Sequence, residues 1–152
     1  MGEGKMTQGA PPASGGGAMA LSRGDADMKQ FNIYIKDRVG ELAKVTELMA
    51  QFAINIVAIA SESGTKPVVR IVTADETSTL KALEKSGWEF TAQDILVLRL
   101  IDRPGELAKV SRKLAREAIF VQSIYIFNKG AGRTELALAV DNIEKARTVL
   151  NA

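Results

Sequence analysis

The stretch Asp37-Arg38-Val39-Gly40-Glu41-Leu42-Ala43-Lys44-Val45 returns 65 residues later as Asp102-Arg103-Pro104-Gly105-Glu106-Leu107-Ala108-Lys109-Val110. Only Val39 and Pro104 differ between the copies. Self-similarity at a fixed offset marks a duplicated structural unit. The register continues outward, with Ala50 matching Ala115, Ala53 Ala118, Ile54 Ile119 and Ile59 Ile124. After one inserted residue it resumes with Asp75 matching Asp141.

Each copy carries a readable local pattern. Residues 31–36 alternate apolar and polar side chains, rich in aromatic and β-branched types, which predicts a strand. Beyond Gly40 the period changes. Leu42, Val45, Leu48, Met49 and Phe52 recur every three or four residues, as on one face of a helix. Residues 54–61 and 68–73 read as strands joined by a turn at 64–67. Asp75 caps a helix that runs to Ser86 and is closed by Gly87, and 88–92 reads as a fourth strand. The second copy gives a strand at 95–101, a helix at 106–118 and a long strand at 119–128. A hairpin turn at 129–133, a strand at 134–140 and a helix at 143–150 complete it.

The predicted fold class is α+β. It comprises two ferredoxin-like βαββαβ units with antiparallel sheets and both helices on one face, the second lacking its last strand. The strand at 95–101 is left with an open edge, which a partner chain, the 88–92 strand or the N-terminal extension can cover. An open edge favours assembly, so a homodimer is expected. Residues 9–17 (GAPPASGGG) have a flexible-linker composition. The expected organisation is a disordered extension over 1–27, one domain over 28–94 and another over 95–152.

Composition limits the chemistry. The 152 residues include no cysteine and no histidine. Disulfides, Cys/His zinc sites and histidine-based triads are therefore excluded. No metal site or cofactor is expected, and no paired catalytic geometry is evident. Twenty bases against 18 acids leave a net charge of only +2, far from a dedicated nucleic-acid binder. No apolar run approaches the roughly 20 residues of a membrane span, and no signal peptide is apparent, so a cytoplasmic protein is expected.

The strand, the Asp-Arg-Val/Pro-Gly-Glu-Leu-Ala loop, the amphipathic helix and Ile54-Asn55-Ile56 together resemble the ACT domain. Residues 31–150 are similar to two such domains in tandem. The resemblance implies a regulatory fold that binds small molecules, most often amino acids, where two units meet. The loop physics agrees with that role. A helix N-terminus suits a carboxylate, and Gly40 and Gly105 let a ligand approach the backbone. Pro104 fits the first helical turn. Asp37 and Asp102 can bond the turn or a ligand ammonium, Arg38 and Arg103 can reach a partner domain, and Glu41 and Glu106 favour the helix dipole.

In serine-responsive members of the family, a polar loop residue and an Asn at the start of the second strand hold the effector. Asp37 and Asn55 match those positions in the first unit, and Asp102 and Phe120 in the second. A histidine of those members, two residues before the loop polar residue, is Ile35 and Leu100 here. The candidate ligand-binding set is Asp37, Arg38, Val39, Gly40, Glu41, Leu42, Asn55 and Ile56, with Asp102, Arg103, Pro104, Gly105, Glu106, Leu107 and Phe120.

The implied function is non-enzymatic. The protein binds an amino acid or similar small carboxylate at ACT domain or subunit interfaces and signals in trans to a metabolic enzyme or regulator. Two other readings stand beside it. The fold can serve assembly alone, or Lys109, Arg112, Lys113 and Arg116 can bind RNA or DNA. The bland alternative for that stripe is a solvated helix face. Trp88, Phe90, Tyr34 and Tyr125 read as core or interface side chains.

Overall fold

The computed structural model describes residues 20–21 and 28–151. The chain divides into two compact units at Asp94/Ile95, with the N-terminal segment grouped with the second. In chain order the elements are β1 (Ala20–Leu21), β2 (Lys29–Tyr34), α1 (Glu41–Gln51), β3 (Ile56–Glu62), β4 (Val68–Thr73), α2 (Glu76–Ser86) and β5 (Glu89–Asp94). They continue with β6 (Leu96–Ile101), α3 (Glu106–Arg116), β7 (Val121–Gly130), β8 (Arg133–Val140) and α4 (Ile143–Asn151).

The first unit is a βαββαβ fold whose sheet runs β3-β4-β2-β5, every pair antiparallel. Alternation along β2 sends Phe31 and Ile33 to one face and Gln30 and Asn32 to the other. Phe31 and Ile33 pack with Val45 and Met49 of α1 and Ala82 and Leu83 of α2. The apolar face of α1 is narrower than the sequence period suggests. Glu41, Val45 and Met49 are buried, whereas Leu42 and Phe52 are 44% and 38% exposed.

In the second unit the sheet runs β1-β6-β8-β7, and its own elements supply only three of the strands. β1 pairs with β6 through Ala20↔Arg99 and Leu21↔Leu98, in the position that β5 holds against β2. Ala20–Leu21 thus covers the edge of β6 that the sequence left open. The rest of the expected extension over 1–27 lies outside the described residues. Leu96, Leu98 and Leu100 pack with Val110, Leu114, Leu136, Leu138 and Leu150.

The repeat register needs one correction. Asp75 caps α2 by accepting the Ser78 N–H at 3.0 Å, and Asn142 caps α4 by accepting the Lys145 N–H at the same distance. Ala74 N–H donates to the Asn55 carbonyl as Asp141 N–H donates to that of Phe120. The counterpart of Asp75 is therefore Asn142, not Asp141. The second copy carries two extra residues, not one, and they lengthen the β7–β8 hairpin. Side-chain similarity drew Asp75 onto Asp141; hydrogen-bond position decides otherwise.

Among the described residues no helix is long and apolar enough to cross a membrane.

Candidate functional site

Both motif loops fold alike. Gly40 at φ 94° and Gly105 at φ 93° precede helices α1 and α3 in the left-handed region, so glycine is required there on backbone grounds. A Cβ at either would meet nothing within 4 Å, so the space above each loop is open as well. Neither helix has a side-chain cap.

The glutamates do more than favour the helix dipole. Glu41 is only 3% exposed, and its Oε2 accepts Arg38 Nε at 2.9 Å and Lys44 Nζ at 3.1 Å. These bonds, Arg38 first, hold its pKa at about 2, with a further contribution from the Lys36 N–H. Glu106 repeats the knot, its Oε1 taking Lys109 Nζ at 2.7 Å and Arg103 Nη2 at 3.2 Å. Its pKa is lowered too, chiefly by Lys109. Arg38 and Arg103 are thus tied to their own helices, and the carboxylates anchor the loop from beneath.

The other candidates stand outside that knot. Val39 is fully exposed at the loop tip, and Asp37, Pro104, Leu42 and Leu107 are exposed. Asp37 has no ion-pair partner among the described residues, whereas Asp102 Oδ2 meets Lys129 Nζ at 3.2 Å. Ile35 packs against the first core and Leu100 is buried in the second, so neither faces a ligand at the loop. Lys109 of the basic stripe is bound to Glu106, leaving Arg112 and Arg116 exposed on α3.

Asn55, Ile56 and Phe120 lie elsewhere in their units. β2 and β3 flank β4, each antiparallel to it, so they run parallel to one another. Asp37 lies just beyond Tyr34, which pairs with Val68, while Asn55 precedes Ile56, which pairs with Thr73. Opposite ends of β4 are about 17 Å apart at strand rise. Asp102 and Phe120 likewise fall at opposite ends of β8, about 23 Å apart. Within one unit, neither pair can hold a single amino acid.

Beneath the first loop is a cleft of about 370 Å³, lined by Glu41 together with Tyr34, Lys36, Lys66 and Trp88. Lys66 Nζ sits 4.3 Å above the Tyr34 ring and 3.4 Å from Glu89 Oε2. Trp88 and Phe90 are partly buried against the core, as expected; Tyr34 is half-buried and lines the cleft. These residues come from three separate stretches of chain, 34–41, 65–67 and 87–89, and only the fold brings them together.

Comparison with known proteins fits this architecture. The family of ACT domain pairs matches residues 26–152, and the chain belongs to that family. Protein BT0572 from Bacteroides thetaiotaomicron is 26% identical, with a TM-score of 0.73 over 83% of this chain and 88% of that one. The regulatory subunit of aspartate kinase from Thermus flavus is 20% identical, with a TM-score of 0.64 over 88% and 92%. Its counterpart from Thermus thermophilus, in a ligand-free form, is 20% identical with a TM-score of 0.61 over 87% and 93%. No curated protein matches the sequence.

Proposed function

We propose that the protein is a non-enzymatic sensor of an amino acid or similar small carboxylate, bound where two copies of the chain meet. Its occupancy is passed in trans to a metabolic enzyme or regulator. The observation that carries this reading is the separation of Asp37 from Asn55 beside a sheet edge that is unpaired among the described residues. β3 is an edge strand, with Val57 and Ile59 exposed. Antiparallel pairing of two β3 strands about a two-fold axis sets the start of each beside the end of the other. Asn55 of one copy then lies beside the Asp37 loop of its partner, and neither copy holds a complete site alone. The resemblance of the fold to regulatory subunits of aspartate kinase agrees with a regulatory role.

A ligand shared across such an interface stabilises the assembled form by its differential affinity. The test pairs a thermal-shift screen of amino acids and keto acids with light scattering. A ligand at about 100 times its dissociation constant should add about 2.7 kcal/mol. Asn55→Ala should abolish the shift while the dimer persists. A monomer at tens of micromolar would refute the shared site.

The tied arginines favour a second reading, in which the fold serves assembly alone. Arg38 and Arg103 each already pair with the glutamate of their own helix. A stable dimer that no compound shifts at millimolar concentration decides for it.

A further inference from the structure

The two extra residues of the second unit build a feature that the first lacks. Five residues, 63–67, join β3 to β4, whereas only Ala131 and Gly132 join β7 to β8. Both have positive φ, 53° and 73°, as in a tight two-residue hairpin turn. The strands stay paired to the tip, with Asn128 opposite Glu135 and Gly130 opposite Arg133. Arg99 of β6 also stands opposite Glu135. Directly paired residues share a face, so all five point the same way. With Ala131 they line a cleft of about 390 Å³.

Its charges are unequally matched. Glu135, half-buried, accepts Arg99 Nε at 3.0 Å and Nη2 at 2.6 Å on Oε2, and Asn128 Nδ2 at 3.3 Å on Oε1. Arg99 is thereby neutralised and fixed. Arg133 has no carboxylate partner among the described residues. Gly130 is not in the left-handed region, so the turn does not require a glycine there, and a Cβ would meet nothing within 4 Å. The missing side chain keeps the space beside Arg133 open.

We propose that this cleft binds a small oxyanion, a carboxylate or a phosphate. The Arg133 guanidinium supplies the charge and the Asn128 amide a hydrogen-bonding group beside it. A guanidinium presents paired N–H groups in the plane that such oxyanions match. The site is independent of Asp37 and Asn55, and it belongs to the second unit alone.

The test is a titration of the full chain, 15N-labelled, with sodium phosphate and separately with sodium acetate at constant ionic strength. Saturable shifts are expected at the amides of residues 130–133 and at the Arg133 Nε–H, and the tighter ligand identifies the oxyanion. Arg133→Gln should weaken binding tenfold or more, and Gly130→Val should block it by filling the opening. Arg112→Gln, an exposed cation on α3, should leave it unchanged. Spectra of the variants that overlay the parent away from the hairpin exclude unfolding as the cause. Shifts that rise linearly without saturation, or that are equal in Arg133→Gln, would overturn the proposal.

Discussion

Replacing Ala53 or Ala118 by glycine should make the protein more stable. Helices α1 and α3 close in the same way. Ile54 N–H donates to the Met49 carbonyl at 2.8 Å and Ala53 N–H to that of Ala50 at 3.0 Å. Ile119 donates to Leu114 at 2.9 Å and Ala118 to Ala115 at 3.0 Å. This pairing puts the residue after the helix cap in the left-handed region, where glycine is usual. Here alanines hold it, both at φ 55°. The left-handed conformation costs an L-residue about 1–2 kcal/mol. Glycine removes that cost but loses about 0.5–1 kcal/mol through the greater freedom of the unfolded chain. Both methyl groups are exposed, so little burial is lost. The net expectation is a gain of about 0.5–1 kcal/mol per site, additive because the sites share no partner. Urea denaturation should show higher midpoints with unchanged slopes, and melting should rise by about 2–5 °C per site. Ala50→Gly, an exposed position inside α1, is the control and should cost about 1 kcal/mol. If Ala53→Gly and Ala50→Gly destabilise alike, the conformational reasoning is wrong.

Asn142→Ala should cost about 1 kcal/mol by removing the α4 cap, measured by urea denaturation. Asp75 differs from Asn142 in being titratable. Its pKa is lowered by Ser78, so its stabilisation is complete above its unfolded value and disappears as pH falls through the lower folded one. Hydrogen exchange followed as pH falls below the ordinary aspartate range should therefore show α2 loosening before α4. The pKa of Glu41 drops from 4.5 to about 2, so its contribution is present above about pH 4.5 and is lost toward pH 2. Glu41→Gln should flatten stability against pH across that window, and an unchanged acid slope in this variant would contradict the buried ion-pair knot. Leu114→Ala, a truncation in the second core, should cost about 2–5 kcal/mol by denaturation.

Elements governed by local rules were legible in the sequence. Val68–Thr73 matches the predicted bounds, and Asp75 and Gly87 cap α2 as their types indicate. Residues that depend on distant neighbours were harder. A glutamate at a helix start reads by type as exposed, yet Glu41 and Glu106 are buried. The clue was present as arginine three residues before and lysine three residues after, in both copies. Leu42 and Phe52 kept the helical period but not the burial, because α1 meets the sheet along the narrower Glu41–Val45–Met49 line. The site residues illustrate the same limit. The family resemblance matched Asp37 and Asn55 to one effector site, but strand direction sets them at opposite ends of β4 within one unit.

The two copies also diverge in a consistent direction. The first keeps Asn55 and an Asp37 without an ion pair among the described residues, while the second has Phe120 in place of the amide and Lys129 on Asp102. Lys129 belongs to the hairpin that the two-residue insertion lengthened. The insertion that creates the cleft around Arg133 thus also brings a cation to the second loop. A cation approaching Asp102 would have to compete with Lys129, whereas Asp37 has no such competitor among the described residues. A duplicated unit that changes in this way no longer presents two chemically equal loops. The first copy keeps the Asp37 and Asn55 side chains, and the second couples its loop to the lengthened hairpin through Lys129 and Asp102.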